Sequence, residues 1–433
     1  MRRRSKKSKT ENNKDLQTSE ERIKFDEIPH DLVIEILGRL PAKSVARFLT
    51  VSKLWATTIR SPDFIKSYPF GSSSKPRTLI ACDLNFKEPN PNVHFFRPSS
   101  STTSTSLLSR VTCPFTYPRH MEYYYHHVNG LISVGYGTEQ IVTNPITGKF
   151  ITLPKPRTRR KLVRSLFGYD SVSDQYKVLC MTERLRGHPE EASSQHQVYT
   201  LGAKKKSWKM INCSIPHRPW SWNGVCINGV VYYIAKTGEG MLQLSIMRFD
   251  LKSDDLDLFT SLPEEIETSL YDCLLINYEG KVAIPTRPTY NTCDVWVMNQ
   301  EGGKLEWLKK ISFTIKPWKG SCHLVVTGTT PTGEFILAPT HYYDSFYVFH
   351  YNPDLNSFRK ITIQAPGVQK NTYHQKLAFV FSDYVEIYFD ITILCLPDTN
   401  SFRRTKVEAF AAFKCHGRRS MVFPDYVESV RLL

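Results

Sequence analysis

Several features that define large classes of proteins are missing from this sequence. None of its ten cysteines forms a C-x-x-C pair, and the basic start MRRRSKKSK is not followed by the apolar segment of a secretory signal. No run approaches the roughly 18 apolar residues that a membrane-spanning helix needs. We therefore interpret the cysteines as free, mostly buried thiols of a reducing compartment, and we expect the protein in the nucleus, the cytoplasm or both.

Motifs of catalysis and metal binding are missing as well. The sequence contains no G-x-S-x-G, P-loop, G-x-G-x-x-G or H-E-x-x-H pattern. His126-His127 and Cys322-His323 are adjacent pairs, and adjacent residues on a strand point to opposite faces, so neither suits a bidentate metal site. No catalytic residue, cofactor or metal is predicted. Three acidic pairs in polar loop sequence are interpreted as solvated: Glu190-Glu191, Asp254-Asp255 and Glu264-Glu265.

The chain has an excess of positive charge instead. It carries 57 lysines and arginines against 41 acidic residues, a formal net charge of +16, which suggests acidic partners. Residues 1–24 are interpreted as a basic tail, either a localisation signal or a solvated, disordered segment. A second basic cluster either binds an acidic or phosphorylated partner or is a plain exposed loop. Its cations are Lys155, Arg157, Arg159, Arg160 and Lys161.

Residues 25–64 show helical spacing of their apolar residues. Two short helices are predicted around Phe48 and Trp55, after a first helix between Pro29 and Pro41. Three helices in about 40 residues bury little surface alone, so we expect another protein to cover the stripe that they leave exposed. The alternative is a small helical cap on the following domain. The stripe predicted on the first helix consists of Leu32, Val33, Ile36, Leu37 and Leu40.

This stretch resembles the plant F-box over the whole motif, and the resemblance implies binding to a Skp-type adaptor and, through it, to a cullin ubiquitin ligase. It departs from the family at Ile28, where Leu is usual, and at Leu49-Thr50, where Arg-Cys is usual. The residues that carry the resemblance include Ile28-Pro29, Asp31-Leu32, Glu35-Ile36-Leu37, Arg39-Leu40-Pro41, Val51-Ser52-Lys53 and Trp55. The family positions imply eight adaptor-binding residues: Pro29, Leu32, Ile36, Leu37, Leu40, Pro41, Val51 and Trp55.

From about residue 77 the helical spacing gives way to short runs of β-branched and aromatic residues. Turn residues that launch a strand recur about every 50 residues, near positions 129, 174, 228, 279 and 332. A repeat of this length indicates propeller blades or an array, and a stack of β-sandwiches is the alternative. Four strands per unit can close into a propeller, which leaves only short, protected edges.

The segments NGLISV, NPITGKFITLP and FGYDSVSDQYKVL resemble the plant F-box-associated domain, which is kelch-like, although the double glycine of kelch blades is absent. The two resemblances imply a small three-helix F-box followed by an all-β, kelch-like propeller of about six blades. We therefore divide the chain into a tail (1–24), an F-box (25–70), a linker (71–77) and a β-domain that recruits a substrate (78–433).

The C-terminal region contains an internal duplication. NPDLNSFRK at 352–360 recurs as LPDTNSFRR at 396–404, and VFSDYVE at 380–386 recurs as VFPDYVE at 422–428. We infer a duplicated terminal unit, about 352–388 and 396–431. One copy is expected to close the propeller while the other packs outside or stays loose.

Together these features predict a non-catalytic substrate-recognition subunit of a Skp-cullin-F-box ubiquitin ligase, whose β-domain holds an unidentified target protein. Two other classes stay open. A propeller enzyme or carbohydrate-binding propeller would need convergent polar groups of perturbed pKa at the mouth of the central channel. A basic nucleic-acid binder would show a strong salt dependence of affinity, but no groove-reading motif accompanies the charge.

Overall fold

The computed structural model describes the chain in ranges separated by gaps. The described residues are 28–40, 42–61, 63–64, 77–83, 90, 92–98, 105–116, 124–184, 191–266, 274–289, 291–301, 303–315, 324–330, 332–339, 341–342, 346–363, 376–377, 379–384, 386–387, 419–423 and 428–429. The basic tail and most of the expected linker lie outside these ranges, as do Pro41, Glu190 and the Cys322-His323 pair. No helix in the described ranges is long and apolar enough to cross a membrane.

The first described residues form helices α1 (His30–Arg39), α2 (Ala42–Phe48) and α3 (Lys53–Ile59). Helix α1 begins after Pro29, which has a φ of −54°, and ends before the extended Leu40. Helix α3 begins after Ser52, whose hydroxyl accepts a hydrogen bond from the Trp55 amide at 3.1 Å. The helices pack around a small core of their own: Val33, Leu37, Val45, Trp55, Ile59 and Phe64.

The apolar residues predicted as one stripe on the first helix divide between two faces. Val33 and Leu37 are four residues apart and are buried in the helical core. Leu32 and Ile36 are also four residues apart, but they are exposed. One residue step turns an α-helix by about 100°, so two such pairs displaced by one residue point in different directions. The sequence spacing alone does not separate them.

The rest of the described chain forms β-sheets, which are antiparallel except for one short parallel pair, Glu386–Ile387 and Glu428–Ser429. The first sheet contains β1 (Arg77–Asp83), β2 (Asn92–Pro98) and β3 (Thr105–Thr112). The second sheet consists of β4 (Tyr124–Val128), β5 (Leu131–Tyr136), β6 (Glu139–Thr143) and β7 (Phe150–Thr152). The third sheet consists of β8 (Lys161–Asp170), β9 (Gln175–Glu183), β10 (Ser194–Thr200) and β11 (Lys209–Met210). The fourth consists of β12 (Arg218–Ile227), β13 (Val230–Thr237), β14 (Gln243–Asp250) and β15 (Leu256–Ser261).

Two more sheets of four strands follow. The fifth consists of β16 (Ile276–Tyr278), β17 (Lys281–Thr289), β18 (Thr292–Glu301) and β19 (Lys304–Thr314). The sixth consists of β20 (Leu324–Thr329), β21 (Phe335–Pro339), β23 (Phe346–Asn352) and β24 (Ser357–Ile363), while β22 (His341–Tyr342) pairs with β25 (Lys376–Leu377). The last strands are β26 (Phe379–Tyr384), β27 (Glu386–Ile387), β28 (Arg419–Phe423) and β29 (Glu428–Ser429).

The sheets close into a ring. Strand β26 pairs with β1, so the first sheet combines strands from both ends of the chain. Strands β26, β4, β8, β12, β16 and β20 contact one another in this order, and β20 returns to β26. The fold is therefore a six-bladed β-propeller with these strands innermost. This confirms the predicted propeller of about six blades. The alternative prediction, a stack of β-sandwiches, was wrong.

Tight turns between the first two strands of a blade produce the repeat of about 50 residues. Asn129-Gly130, Asn228-Gly229 and Glu279-Gly280 join β4 to β5, β12 to β13 and β16 to β17. Both residues of each pair have positive φ, between 43° and 78°. Two consecutive positive φ angles match the right-handed twist of the flanking strands, and glycine adopts the second without steric cost.

Buried hydrogen bonds connect neighbouring blades. Tyr176 of β9 is fully buried. Its hydroxyl donates to the backbone oxygen of Asn129 at 2.9 Å and accepts from the Asn129 Nδ2 at 3.1 Å. This side chain therefore joins the third blade to the β4–β5 turn of the second.

Replacing Tyr176 by phenylalanine should lower the free energy of unfolding by about 1–2 kcal/mol, because the partly buried Asn129 groups lose the hydroxyl that bonds both of them. Thermal unfolding of the full chain measures this. The matched control is Tyr169→Phe in the same blade, since the Tyr169 hydroxyl donates to Asp174 Oδ1 at an exposed site. That control should cost less than about 0.5 kcal/mol. An equal loss of unfolding free energy in both variants would show that the hydrogen bonds between the blades stabilise the fold no more than the exposed hydrogen bond does.

Candidate protein-interaction surfaces

The helical module exposes four large apolar side chains. The exposed fraction is 53% for Leu32, 43% for Ile36, 61% for Val51 and 54% for Leu54. Leu32 and Ile36 lie on one face of α1, Val51 lies in the turn before α3, and Leu54 lies in its first turn. Exposed apolar side chains grouped on so small a module are typical of a surface that another protein covers.

The eight residues implied as adaptor-binding separate by burial. Leu37 is completely buried and Trp55 is 8% exposed, with the Trp55 ring 4.7 Å from that of Phe48. Leu40 is half-buried and packs against the same core, and Pro29 is exposed. Leu32, Ile36 and Val51 are exposed, as described above, and Pro41 lies outside the described residues. Leu37 and Trp55 therefore support a partner surface from within the module.

Leu54 is an exposed apolar residue that the sequence reasoning missed. It directly precedes Trp55 on α3, so its side chain points about 100° away from the buried tryptophan. The pattern predicted for the third helix consisted of Val51, Trp55 and Ile59 at steps of four residues, and Leu54 lies outside that spacing.

The propeller carries the second predicted surface, the basic loop 155–161. This loop has local order, since the Thr158 amide donates to the Pro156 oxygen at 2.9 Å and the Arg160 amide donates to the Thr158 hydroxyl at 3.0 Å. Pro156 is buried beneath it. The loop therefore presents its cations from a defined backbone.

The five cations of this loop differ in their partners. Lys155 forms an exposed ion pair with Glu139, and the Arg160 Nε donates to the Thr182 hydroxyl at 3.2 Å. Arg157, Arg159 and Lys161 are exposed and form no ion pair with any described residue. These three side chains leave a concentration of positive charge that an anionic group can approach.

The basic loop and the start of the propeller chain lie at opposite ends of the innermost strands. Lys161 begins β8 directly after the loop. The innermost strands all run in one direction, because each antiparallel set of four strands ends on the face where the next begins. Strand β26 therefore starts on the face of the basic loop and ends at Tyr384 on the other face, where Arg77 pairs with it. The chain thus enters the propeller at Arg77, on the face away from the loop.

The groups with the largest pKa shifts are buried. Burial lowers the pKa of His126 and of His196 to about 3 and raises the pKa of Cys180 to about 12. His126 Nε2 accepts a hydrogen bond from the Gly224 amide at 3.3 Å. These groups are neutral at pH 7 because of burial, which is typical of packed structural residues. In the described ranges, no three or more His, Cys, Asp or Glu side chains are grouped to hold a metal ion.

In the acidic pair Asp254-Asp255, the first carboxylate is not solvated as the sequence predicted. Asp254 is partly buried and receives hydrogen bonds from Lys177 Nζ at 2.6 Å and Lys209 Nζ at 2.9 Å. Burial raises the pKa of Asp254, but the hydrogen bonds and charges of the two lysines together lower it below its ordinary value. Lys177 also donates to the backbone oxygen of Leu251. The carboxylate therefore connects the third and fourth blades. Asp255, Glu264 and Glu265 are exposed.

The described chain thus combines a helical module that has exposed apolar side chains with a six-bladed propeller. The F-box domain family matches residues 25–67, and the F-box associated beta propeller domain family matches residues 82–385. The chain belongs to the F-box proteins of plants that carry this propeller. F-box proteins of this kind generally bind a Skp-type adaptor and are non-catalytic.

Relatives from Arabidopsis thaliana support this assignment. The F-box protein At5g15660 of Arabidopsis thaliana is 73% identical over 441 residues, covering 96% of this chain and all of its own. The F-box protein At4g11590 from the same plant is 50% identical, covering 84% and 92%. The Arabidopsis F-box protein DOR is 35% identical, covering 84% and 93%. A solved structure, a hypothetical selenium-binding protein from Sulfolobus tokodaii, is 11% identical with a TM-score of 0.39, covering 69% and 75%.

The difference between core and surface positions is testable on α1. Leu37→Asp places a carboxylate in a fully buried site and should unfold the helical module, whereas the neighbouring Ile36→Asp should leave it folded. Limited proteolysis of the full chains reports this as rapid cleavage within residues 28–64 in the first variant alone. Similar cleavage of both variants would contradict the assignment of the two faces.

Proposed function

We propose that this protein is a substrate-recognition subunit of a Skp-cullin-F-box ubiquitin ligase. The observation that supports it most directly is the exposure of Leu32, Ile36, Val51 and Leu54 on helices whose own core is already packed. A Skp-type adaptor would cover these side chains, together with Pro29 and Pro41. Leu37, Leu40 and Trp55 would hold the three helices in place as the complete F-box. Burial of the exposed side chains would supply the main driving force.

The propeller would hold the target protein. Its role is proximity, because a target bound to the propeller is kept near the conjugating enzyme at a high effective concentration. No residue of this chain would take part in the covalent step. The protein would act in the nucleus, the cytoplasm or both.

The basic loop 155–161 is the proposed contact for an acidic or phosphorylated part of the target. Its uncompensated cations Arg157, Arg159 and Lys161 favour carboxylate or phosphate groups, which arginine can bind in a bidentate way. The loop lies on the face away from the point where the chain enters the propeller, so the adaptor and the target would approach the propeller from different sides.

Adaptor binding should depend on the exposed face of the helices. In the full chain, Leu32→Asp and Ile36→Asp should each weaken binding to a purified Skp-type adaptor at least tenfold, because each places a charge in an apolar interface. Isothermal titration measures the affinity. The matched control is Leu107→Asp, a leucine of equal exposure on strand β3 of the propeller. Loss of affinity in the control, or none in the α1 variants, would contradict the proposed surface.

Target binding through the basic loop should depend on its charge. The triple variant Arg157→Glu, Arg159→Glu, Lys161→Glu should weaken binding of a glutamate-rich and a phosphoserine-containing probe peptide about tenfold or more, because three cations become anions. Fluorescence anisotropy at 50 and 300 mM salt measures this.

The control for the basic loop reverses the charge of three exposed lysines by replacing each with glutamate: Lys204→Glu, Lys205→Glu and Lys206→Glu. They lie in the β10–β11 turn of the same blade, at the strand ends opposite to the start of β8. This variant has the same net charge as the triple variant of the loop and should bind the peptides like wild type. Equal weakening in both variants would show that net charge, not this loop, attracts the peptides.

A further inference from the structure

The duplicated C-terminal segment meets the propeller at strand β1, where its strand β28 also contacts β26. Leu79 of β1 pairs with Phe381 of β26, and it also pairs with Phe423 of β28. Phe381 and Phe423 are equivalent residues of the repeated sequences VFSDYVE and VFPDYVE. Both copies therefore reach the same residue of β1 with the same residue of their own.

Only one edge of β1 is available to these copies. The opposite edge of β1 pairs with β2 from Ile80 to Asp83, and β28 contacts β26, so both copies lie on the same side of β1. A strand has two edges, and each edge accepts one partner strand along a given stretch. The two copies are therefore alternative occupants of one position in the first blade.

A second contact shows the same equivalence. Strands β27 and β29 pair in parallel, with Glu386 opposite Glu428 and Ile387 opposite Ser429. Glu386 and Glu428 occupy the same place in the two copies. The copies thus lie side by side in matching register, as interchangeable segments would.

The family comparison shows which copy is the additional one. The F-box associated beta propeller domain family ends at residue 385, directly after β26, and β28 lies beyond it. The 34 residues between Tyr384 and Arg419 can span far more than the length of one short strand, so the second copy reaches the position of the first within the same chain.

The two copies differ in how well they can pair with β1. Strand β26 contains Ser382, and the corresponding residue of the second copy is Pro424. The residue after Phe423 is Pro424, which has no amide hydrogen to donate to a neighbouring strand. The first copy also pairs with β1 at four positions, and the second pairs at one. The first copy is thus the favoured occupant.

We propose that the two copies are competing closing strands of the first blade, and that either one can complete the propeller within a single chain. The first copy closes the ring in most molecules, and the second takes its place when the first is displaced. The exchange is a conformational switch at the seam of the propeller, with the proline at position 424 setting its balance. It is independent of the proposed ligase function.

The test exchanges the residues that distinguish the copies, in the full chain. Hydrogen exchange with mass spectrometry follows peptides covering 376–387 and 419–429. In the wild type the first peptide should be the more protected. Pro424→Ser should raise the protection of the second peptide and lower that of the first, and the pair Ser382→Pro, Pro424→Ser should reverse the order. Unchanged protection in these variants, or full protection of both peptides in the wild type, would overturn the proposal.

A second experiment measures closure itself. Adjacent residues of a strand direct their amides to opposite sides, so Val380→Pro with Phe381→Pro removes a hydrogen bond to β1 in either register. This variant should keep a cooperative thermal transition, because the second copy replaces the first. Adding Val422→Pro and Phe423→Pro should abolish that transition. The proposal would be wrong if both variants lost the cooperative thermal transition equally. It would also be wrong if light scattering showed the variant with Val380→Pro and Phe381→Pro to be a dimer, because closure would then not occur within one chain.

Discussion

The pairing of β1 with β26 is the contact on which the propeller depends. Five of its blades are built from strands that follow one another in the chain, so their hydrogen bonds form between near neighbours in sequence. The first blade instead joins residues about 300 positions apart, such as Arg77 and Tyr384. Without a closing strand on this edge of β1, the edge would be unpaired, and the ring of innermost strands would have a gap between β20 and β4.

The same seam is where the helical module joins the propeller. The chain that leaves the helices enters the ring as β1, so the strand that closes the propeller also fixes the first strand after the module. The basic loop lies at the other end of the innermost strands. Closure at the seam thus places the start of β1 and the basic loop on opposite faces of the propeller. This separation suits a protein that must hold two large partners together.

The helical module is limited by its size. Six buried residues form its core, and three short helices cannot enclose more. Leu32 and Ile36 therefore stay in water although they lie beside Val33 and Leu37, which are buried. An apolar face of this kind is a cost to the free protein and a source of binding energy once a partner covers it. In the propeller, by contrast, buried polar groups such as Tyr176 and Lys177 find their partners in the neighbouring blade.

Local signals in the sequence determined the kind of each element. Helical spacing predicted helices in residues 25–64, and the glycine turns at Gly130, Gly229 and Gly280 predicted blades, because both signals act within a few residues. The family resemblance added the adaptor and the six blades. Only the tertiary structure separated Leu37 and Trp55 from Leu32 and Ile36, paired Asp254 with two lysines, and brought both C-terminal copies to Leu79. Those outcomes depend on which distant residues become neighbours, and spacing along the chain carries no information about such contacts.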